Sequence, residues 1–204
     1  KIYLGDIIAR NNISNVAGIR ILIRKIAESV CRPISFNRIN NLLSSIGGKL
    51  SLATTIKYIE YCEGAWLLLR LRNYASCLAD KESNCKYYFI DNGILNLFLT
   101  DPNTSLLENM VAINLYKQYG DDVAFFNSNI EVDFYVPNQK IAIQVSYSLK
   151  DDDTKKREVR ALDKISSFVD VERRYIITMY EEEIIERDGH TIHVVPLLKW
   201  LLKN

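Results

Sequence analysis

A carboxylate on one strand, faced by a polar pair on the next, is a common way to seat a divalent cation on a β-sheet. Residues Ile130 to Leu149 have that pattern. Val132, Phe134 and Val136 alternate with Glu131, Asp133 and Tyr135, Pro137-Asn138 supplies a turn, and Ile141, Ile143 and Val145 alternate with Ala142, Gln144 and Ser146. This period of two predicts a β-hairpin. Asp133 is a hard oxygen donor of the kind Mg²⁺ takes, and a dication so held neutralises phosphate charge and generates hydroxide. Gln144 is a neutral amide and a weaker donor, and Ser146 brings no positive charge. Lys140 lies in the turn and Lys150 beyond the strand end, so neither stands at a paired strand position. The plainer account of Asp133 and Gln144 is a cross-strand polar pair.

The flanking elements can be read from the same patterning. Apolar residues recur at Ile19, Leu22, Ile23, Ile26, Ala27 and Val30, which predicts a helix ended by Pro33. Ser35 caps a second helix, Phe36 to Ile46, stopped by Gly47-Gly48, and Ser51 caps a third that carries Leu52, Ile56, Ile59 and Cys62 inward. Trp66 to Arg72 and Lys86 to Ile90 are strand candidates, with a polar connection between them. Three helices followed by a two-stranded hairpin is the order of a winged helix, whose third helix enters a DNA groove while the hairpin forms the wing. Thr54, Thr55, Lys57 and Tyr58 are the residues expected to face outward on that helix, and Arg70, Arg72, Lys81 and Lys86 lie on or near the wing. These types contact phosphate; a solvated surface accounts for them equally well.

Asp101-Pro102-Asn103 marks the expected boundary between residues 1–100 and 101–204. Beyond it come a helix with Glu108 in its first turn, a strand at Ala124 to Phe126, the hairpin, and a helix opened by Asp151-Asp152-Asp153 with Val159, Leu162, Ile165 and Phe168 as its stripe. A strand at Arg174 to Met179, a charged stretch Glu181 to Arg187 whose Glu181-Glu182-Glu183 run reads as a solvated loop, a turn at Asp188-Gly189, a strand at Thr191 to Val195 and a short helix at Leu197 to Leu202 complete the chain. The expected class is α+β or α/β, with the second half reading αβββαββα. The opening Lys1 to Ile8 reads as a connection from something upstream.

Composition bounds the rest. The chain has 204 residues, 48% of them hydrophobic and 25% charged, as in ordinary globular proteins. With 26 Lys and Arg against 25 Asp and Glu, any nucleic-acid surface must be a local patch. Cys31, Cys62, Cys77 and Cys85 lack Cys-x-x-Cys spacing and sit far from His190 and His193, so a zinc site is not expected, and reduced thiols in the cytoplasm are. The two histidines are three apart on a strand and point to opposite faces. Lys155-Lys156-Arg157 reads as a solvated helix face. No apolar run reaches membrane-spanning length.

The order helix carboxylate, hairpin Asp, polar-x-polar pair and returning helix resembles the PD-(D/E)XK nuclease fold. The resemblance implies Glu108 and Asp133 as metal ligands, Gln144 at the position of a Glu and Ser146 at that of the catalytic Lys. A wider resemblance rests on Tyr3-Leu4-x-Asp6-Ile7, Ser51-x-x-Thr54-x-x-x-Tyr58-Ile59, Lys86-Tyr87-Tyr88-Phe89-Ile90-Asp91-x-Gly93, Leu106-Leu107-Glu108-Asn109, Glu131-Val132-Asp133-Phe134 and Ile143-Gln144-Val145-Ser146-Tyr147. Together these are similar to the C-terminal region of prokaryotic AAA-type ATPases, the domain-of-unknown-function family 4143. That implies an ATPase core as the N-terminal partner, with ATP and Mg²⁺ expected there and no cofactor in this piece. Gly47-Gly48-Lys49 is followed by Leu50 and lacks the earlier glycine of a phosphate-binding loop. The implied function is an accessory module that binds DNA or a protein partner. The alternatives are an active Mg²⁺-dependent endonuclease and a pure interaction module.

Overall fold

The computed structural model describes residues 2–45, 50–76, 84–187 and 189–203. Ile46, Gly47, Gly48, Cys77, Lys81 and Asp188, which figure in the reading above, lie outside the described residues. The opening stretch read as a connection is itself a helix, α1 (Ile2–Arg10). In α2 (Val16–Glu28) the Asn15 side chain accepts from the Gly18 N–H, and Ile19, Leu22, Ile23, Ile26 and Ala27 are buried as their spacing predicts. Strand β1 (Ile34–Ser35) leads into α3 (Phe36–Ser45), and Ser35 Oγ accepts from the Arg38 N–H. Ser51 caps α4 (Leu52–Gly64) by accepting from Thr54 N. The phase of α4 differs from expectation. Its buried stripe is Thr55, Tyr58, Ile59 and Cys62, and Leu52 is exposed. Strands β2 (Leu68–Arg72) and β3 (Asn84–Phe89) complete a three-stranded antiparallel sheet in the order β1-β3-β2.

Asp91 caps the short α5 (Asn92–Asn96), and the long α6 (Asn103–Tyr119) follows, ending at Gly120 with positive φ. Glu108 falls in the second turn of α6 and is buried, so the helix dipole does not explain it. Strands β4 (Ala124–Asn127), β5 (Glu131–Val136) and β6 (Ile141–Val145) form an antiparallel meander. Its last turn is a 3₁₀ turn at Pro137–Gln139, closed by Lys140 in the left-handed region. The helix α7 (Asp152–Lys164) crosses to β7 (Arg173–Thr178), which pairs parallel with β6. Parallel neighbours need such a crossover. Then come β8 (Glu183–Arg187), β9 (His190–Pro196) and α8 (Leu197–Lys203). The six strands are ordered β4-β5-β6-β7-β9-β8. The stretch Glu181 to Arg187, read as charged but not as a strand, contains the edge strand β8 from Glu183 on, so the second half is αβββαβββα, while Glu181 and Glu182 precede the strand. Its exposed Glu183 and Glu186 hid the strand from hydropathy and protect a sheet edge.

The molecule is thus mixed α and β, with a mixed six-stranded sheet. One core cluster runs through both halves, joining Ile19 of α2, Tyr87 of β3, Val111 of α6, Phe134 and Ile143 of the hairpin, and Trp200 of α8. A second lies between the sheet and α7, with Ala142, Val159, Leu162 and Ile176. Strand β6 is buried along its whole length, which is why its residues are apolar on both faces except at Gln144. Among the described residues no helix is long and apolar enough to cross a membrane.

Candidate functional site

Strand β3 carries Lys86 in the middle of an apolar run, and its side chain is completely buried. A buried ammonium needs carboxylates. Lys86 Nζ has three: Asp133 Oδ1 at 3.1 Å, Glu131 Oε1 at 3.3 Å and Glu108 Oε1 at 3.6 Å. The ammonium also lies 5.6 Å from the centre of the Phe125 ring. Burial pulls its pKa down, but the charges of Asp133, Glu108 and Glu131 outweigh this and hold it above the usual lysine value. Lys86 is therefore a fixed cation. The expectation that it lies on the wing surface and meets phosphate is corrected: Cys85, Tyr87, Tyr88 and Phe89 around it on β3 are all buried and take it inside.

Glu108 is held from two sides. Tyr88, two residues along β3 from Lys86, donates its hydroxyl to Glu108 Oε1 at 2.7 Å. Burial and the nearby Asp133 charge push the Glu108 carboxyl up to about 8, against the opposing pull of Lys86 and Tyr88. At neutral pH it is largely protonated. The Cys31 thiol, beside it, is itself pushed well up by burial and by the Glu108 charge. The next residue, Asn109, fixes this register. Its side chain accepts from Phe89 N at 2.7 Å and donates to Phe89 O at 2.8 Å and to Asn92 Oδ1 at 2.7 Å.

On the hairpin, Asp133 accepts from Lys86 with one oxygen and from Val145 N with the other, at 2.9 Å. Gln144 faces it across the ladder. Its Oε1 accepts from Asp133 N at 2.8 Å, and its Nε2 donates to Glu131 O at 3.2 Å and to Glu158 Oε2 at 2.8 Å. Glu158 is buried on α7, and Arg157 caps its other oxygen. Ser146 turns away, donating to Ser148 O at 2.9 Å. Glu108, Asp133 and Gln144 thus line one cleft of about 1040 Å³, together with Glu131, Glu158 and Cys31. Ser146 does not join them there.

The donor set does not fit a divalent metal as it stands. Two positive charges at about 3 Å repel strongly in a buried setting, and Lys86 already satisfies the oxygens that Mg²⁺ would need at about 2.0–2.1 Å. Among the described residues no three His, Cys, Asp or Glu side chains are grouped closely enough to hold a metal.

The candidate nucleic-acid residues are scattered. Thr55 and Tyr58 are buried, Thr55 donating to Asn40 Oδ1 at 2.8 Å, so the expectation that they face outward is corrected. Thr54 is engaged with Ser51, and Lys57 is exposed. Arg70 pairs with Glu63 at 2.8 Å, and Arg70 and Arg72 border a smaller pocket with Tyr74 and Tyr116. His190 bonds Asp163 at 2.9 Å while His193 stacks near Tyr175, so the two do not meet.

Lys86, Tyr88, Asn109 and Glu158 were missed as site residues by sequence reasoning. A signal existed for two of them. Lys86 interrupts Cys-x-Tyr-Tyr-Phe-Ile, and Glu158 lies four residues before Leu162 on the buried stripe of its helix. A charge in such a place calls for a partner.

Two curated relatives are similar along the chain: an uncharacterized protein of Methanocaldococcus jannaschii, 30% identical over 98% of this chain and 48% of its own length, and an uncharacterized protein of Haemophilus influenzae, 26% identical over 100% of this chain and 50% of its own. The chain spans about half the length of these relatives. No solved structure matches. Residues 1–105, from α1 to the first turn of α6, match the family model described as a domain of unknown function, DUF8612, and the chain belongs to that family.

Proposed function

We propose that this chain is the C-terminal accessory portion of a prokaryotic, cytoplasmic AAA-type ATPase: a winged-helix-like half joined to a nuclease-like half that binds without cutting. The observation that carries the reading is Lys86, whose ammonium lies within 3.1–3.6 Å of Asp133, Glu131 and Glu108, where a nuclease of this pattern holds its metal. A tethered cation keeps the carboxylates together and leaves no place for a second positive charge. Ser146 and Gln144 agree with this, since neither restores a charge that catalysis would use.

Topology supports both halves. The order α2-β1-α3-α4-β2-β3, with β3 between β1 and β2, is compatible with a winged helix. The α6-β4-β5-β6-α7-β7 order, with a parallel β6–β7 pair, is compatible with a nuclease-like core. The ATPase context rests on the ordered motifs; relatives about twice as long have room for such a motor. Its partner, in this reading, is the ATPase domain, and its ligand is nucleic acid.

An active Mg²⁺-dependent endonuclease is the second reading. Glu158 favours it, since it brings a carboxylate 2.8 Å from the amide of Gln144. Incubating supercoiled plasmid with the wild type and with Asp133→Ala, in Mg²⁺ or Mn²⁺, separates the two. The preferred reading predicts no cleavage above background from either protein. Cleavage by the wild type that Asp133→Ala abolishes selects the endonuclease.

A further inference from the structure

The six-stranded sheet is only partly covered on its α6 side. Helix α6 ends at Tyr119, just before Gly120 with its positive φ, and α8 has only seven residues. A pocket of about 270 Å³ remains over β6, β7 and β9. Ile141 pairs with Arg173 at the start of β6 and β7, and Tyr175 pairs with His193 two residues further on. With Val195 of β9 they share one face of the sheet by strand alternation, and Tyr119 and Trp200 complete the lining. Three of its rings stand together. Tyr175 meets Trp200 edge-on with ring centres 5.1 Å apart, and His193 with centres 5.7 Å apart. Trp200 is buried, and its indole N–H donates to Asn114 Oδ1 at 3.1 Å, which fixes the ring from α6.

Arg173 is the one Lys, Arg, Asp or Glu among these lining residues. Its guanidinium donates to Gln139 through Nη2 alone, at 3.4 Å to Oε1 and 3.5 Å to the backbone O, both long for a hydrogen bond. Among the described residues no carboxylate pairs with it. Glu172, next to it in the chain, is engaged by Lys140 at 3.0 Å. An aromatic wall thus meets one uncompensated positive charge. We propose that this pocket binds a small planar aromatic acid, its ring against Tyr175 and Trp200 and its anionic group on the Arg173 fork. Aromatic walls alone would also take an ammonium through cation–π attraction. Arg173 repels that ligand and suits the paired oxygens of a carboxylate or phosphate. Two residues of strand separate Arg173 from Tyr175 by about 6.6 Å, a span that a two-ring acid covers. The volume lies below the roughly 300–1,000 Å³ of pockets for drug-sized ligands, which leaves room for one or two rings. The pocket shares no lining residue with the Lys86 cleft, and the proposal goes beyond the accessory reading without depending on it.

The test is heteronuclear NMR on the isotope-labelled full chain. Its two tryptophans, Trp66 and Trp200, give two indole N–H signals, so the exposed Trp66 serves as an internal control. Four probes are titrated: naphthoate, naphthyl phosphate, the neutral naphthylmethanol and the cationic naphthylmethylammonium. The two acids should move the Trp200 signal and leave Trp66 in place, with Kd at or below about 1 mM, an ordinary affinity for so small a ligand. They should bind at least about tenfold more tightly than the alcohol, the margin of a hydrogen bond to a charged group. The tighter of the two acids names the headgroup. Arg173→Gln, at an exposed position, should keep the thermal transition and the affinity for the alcohol while bringing the acids down to the alcohol's level. Tyr175→Leu retains apolar bulk and should weaken the acids and the alcohol alike, by about two- to tenfold. If the alcohol or the ammonium binds as tightly as the acids, or if Arg173→Gln leaves the acids unchanged, the ligand class is wrong. If no probe moves Trp200, or if Trp66 moves equally, the pocket is not the site and the proposal falls. None of these outcomes alters the result expected with plasmid.

Discussion

Glu108 and Lys86 show how one buried lysine reorganises a set of acids. Glu108 titrates near 8 in the folded chain against 4.5 in an ordinary setting. Between those values the unfolded chain has lost a proton that the folded chain keeps, so the Glu108 contribution is fully present below about 4.5 and falls away as pH rises towards about 8. Glu108→Gln keeps the neutral shape and removes the titration. Urea unfolding between pH 5.5 and 8 should therefore show a fall in stability for the wild type that the variant largely lacks; equal falls in both would contradict the assignment. Asp133 and Gln144 were legible in the sequence as facing residues because strand alternation is strict. Lys86 was not, because only its three-dimensional neighbours decide whether a lysine in an apolar strand emerges or is paired inside. Glu158 was hidden for a similar reason: a charged residue on a helix stripe looks like surface until its partner is known.

Elements were easier to read than their faces. Asn15, Ser35, Ser51 and Asp151 each accept from a backbone N–H three residues on, so the starts of four helices follow from side-chain chemistry alone. The phase of α4 was not legible, since Thr55 and Tyr58 can be buried only if Asn40 and the surrounding core accept them. Strand β8 was missed because an edge strand needs one partner and little apolar surface. The joint between β3 and α6 depends on Asn109, which serves both backbone groups of Phe89. Asn109→Ala leaves that N–H and C=O buried without their partner, and the chain should lose about 2–4 kcal/mol with the urea m-value unchanged. The Phe89 amide should also exchange faster. A loss within 0.5 kcal/mol of zero, the range of ordinary surface substitutions, would mean that the joint is held elsewhere.

At the scale of the whole molecule, the three-stranded sheet and the six-stranded sheet are separate, but the elements that carry them share one core and one charged cluster. Lys86 comes from the first half, and Glu108, Glu131 and Asp133 come from the second. The two halves should therefore unfold together. Trp66 reports from the first half and Trp200 from the second, so single-tryptophan variants should give coincident urea transitions; separated midpoints would show two independent domains. The same interlocking lets the first half plug the second: a lysine on β3 fills the acidic nest beside the six-stranded sheet. Titrating Mn²⁺ into the wild type and into Asp133→Asn, read by calorimetry or electron paramagnetic resonance, tests that claim most directly. The account predicts no stoichiometric binding by the wild type and no difference between the proteins. One Mn²⁺ per wild-type chain, lost in Asp133→Asn, would contradict it.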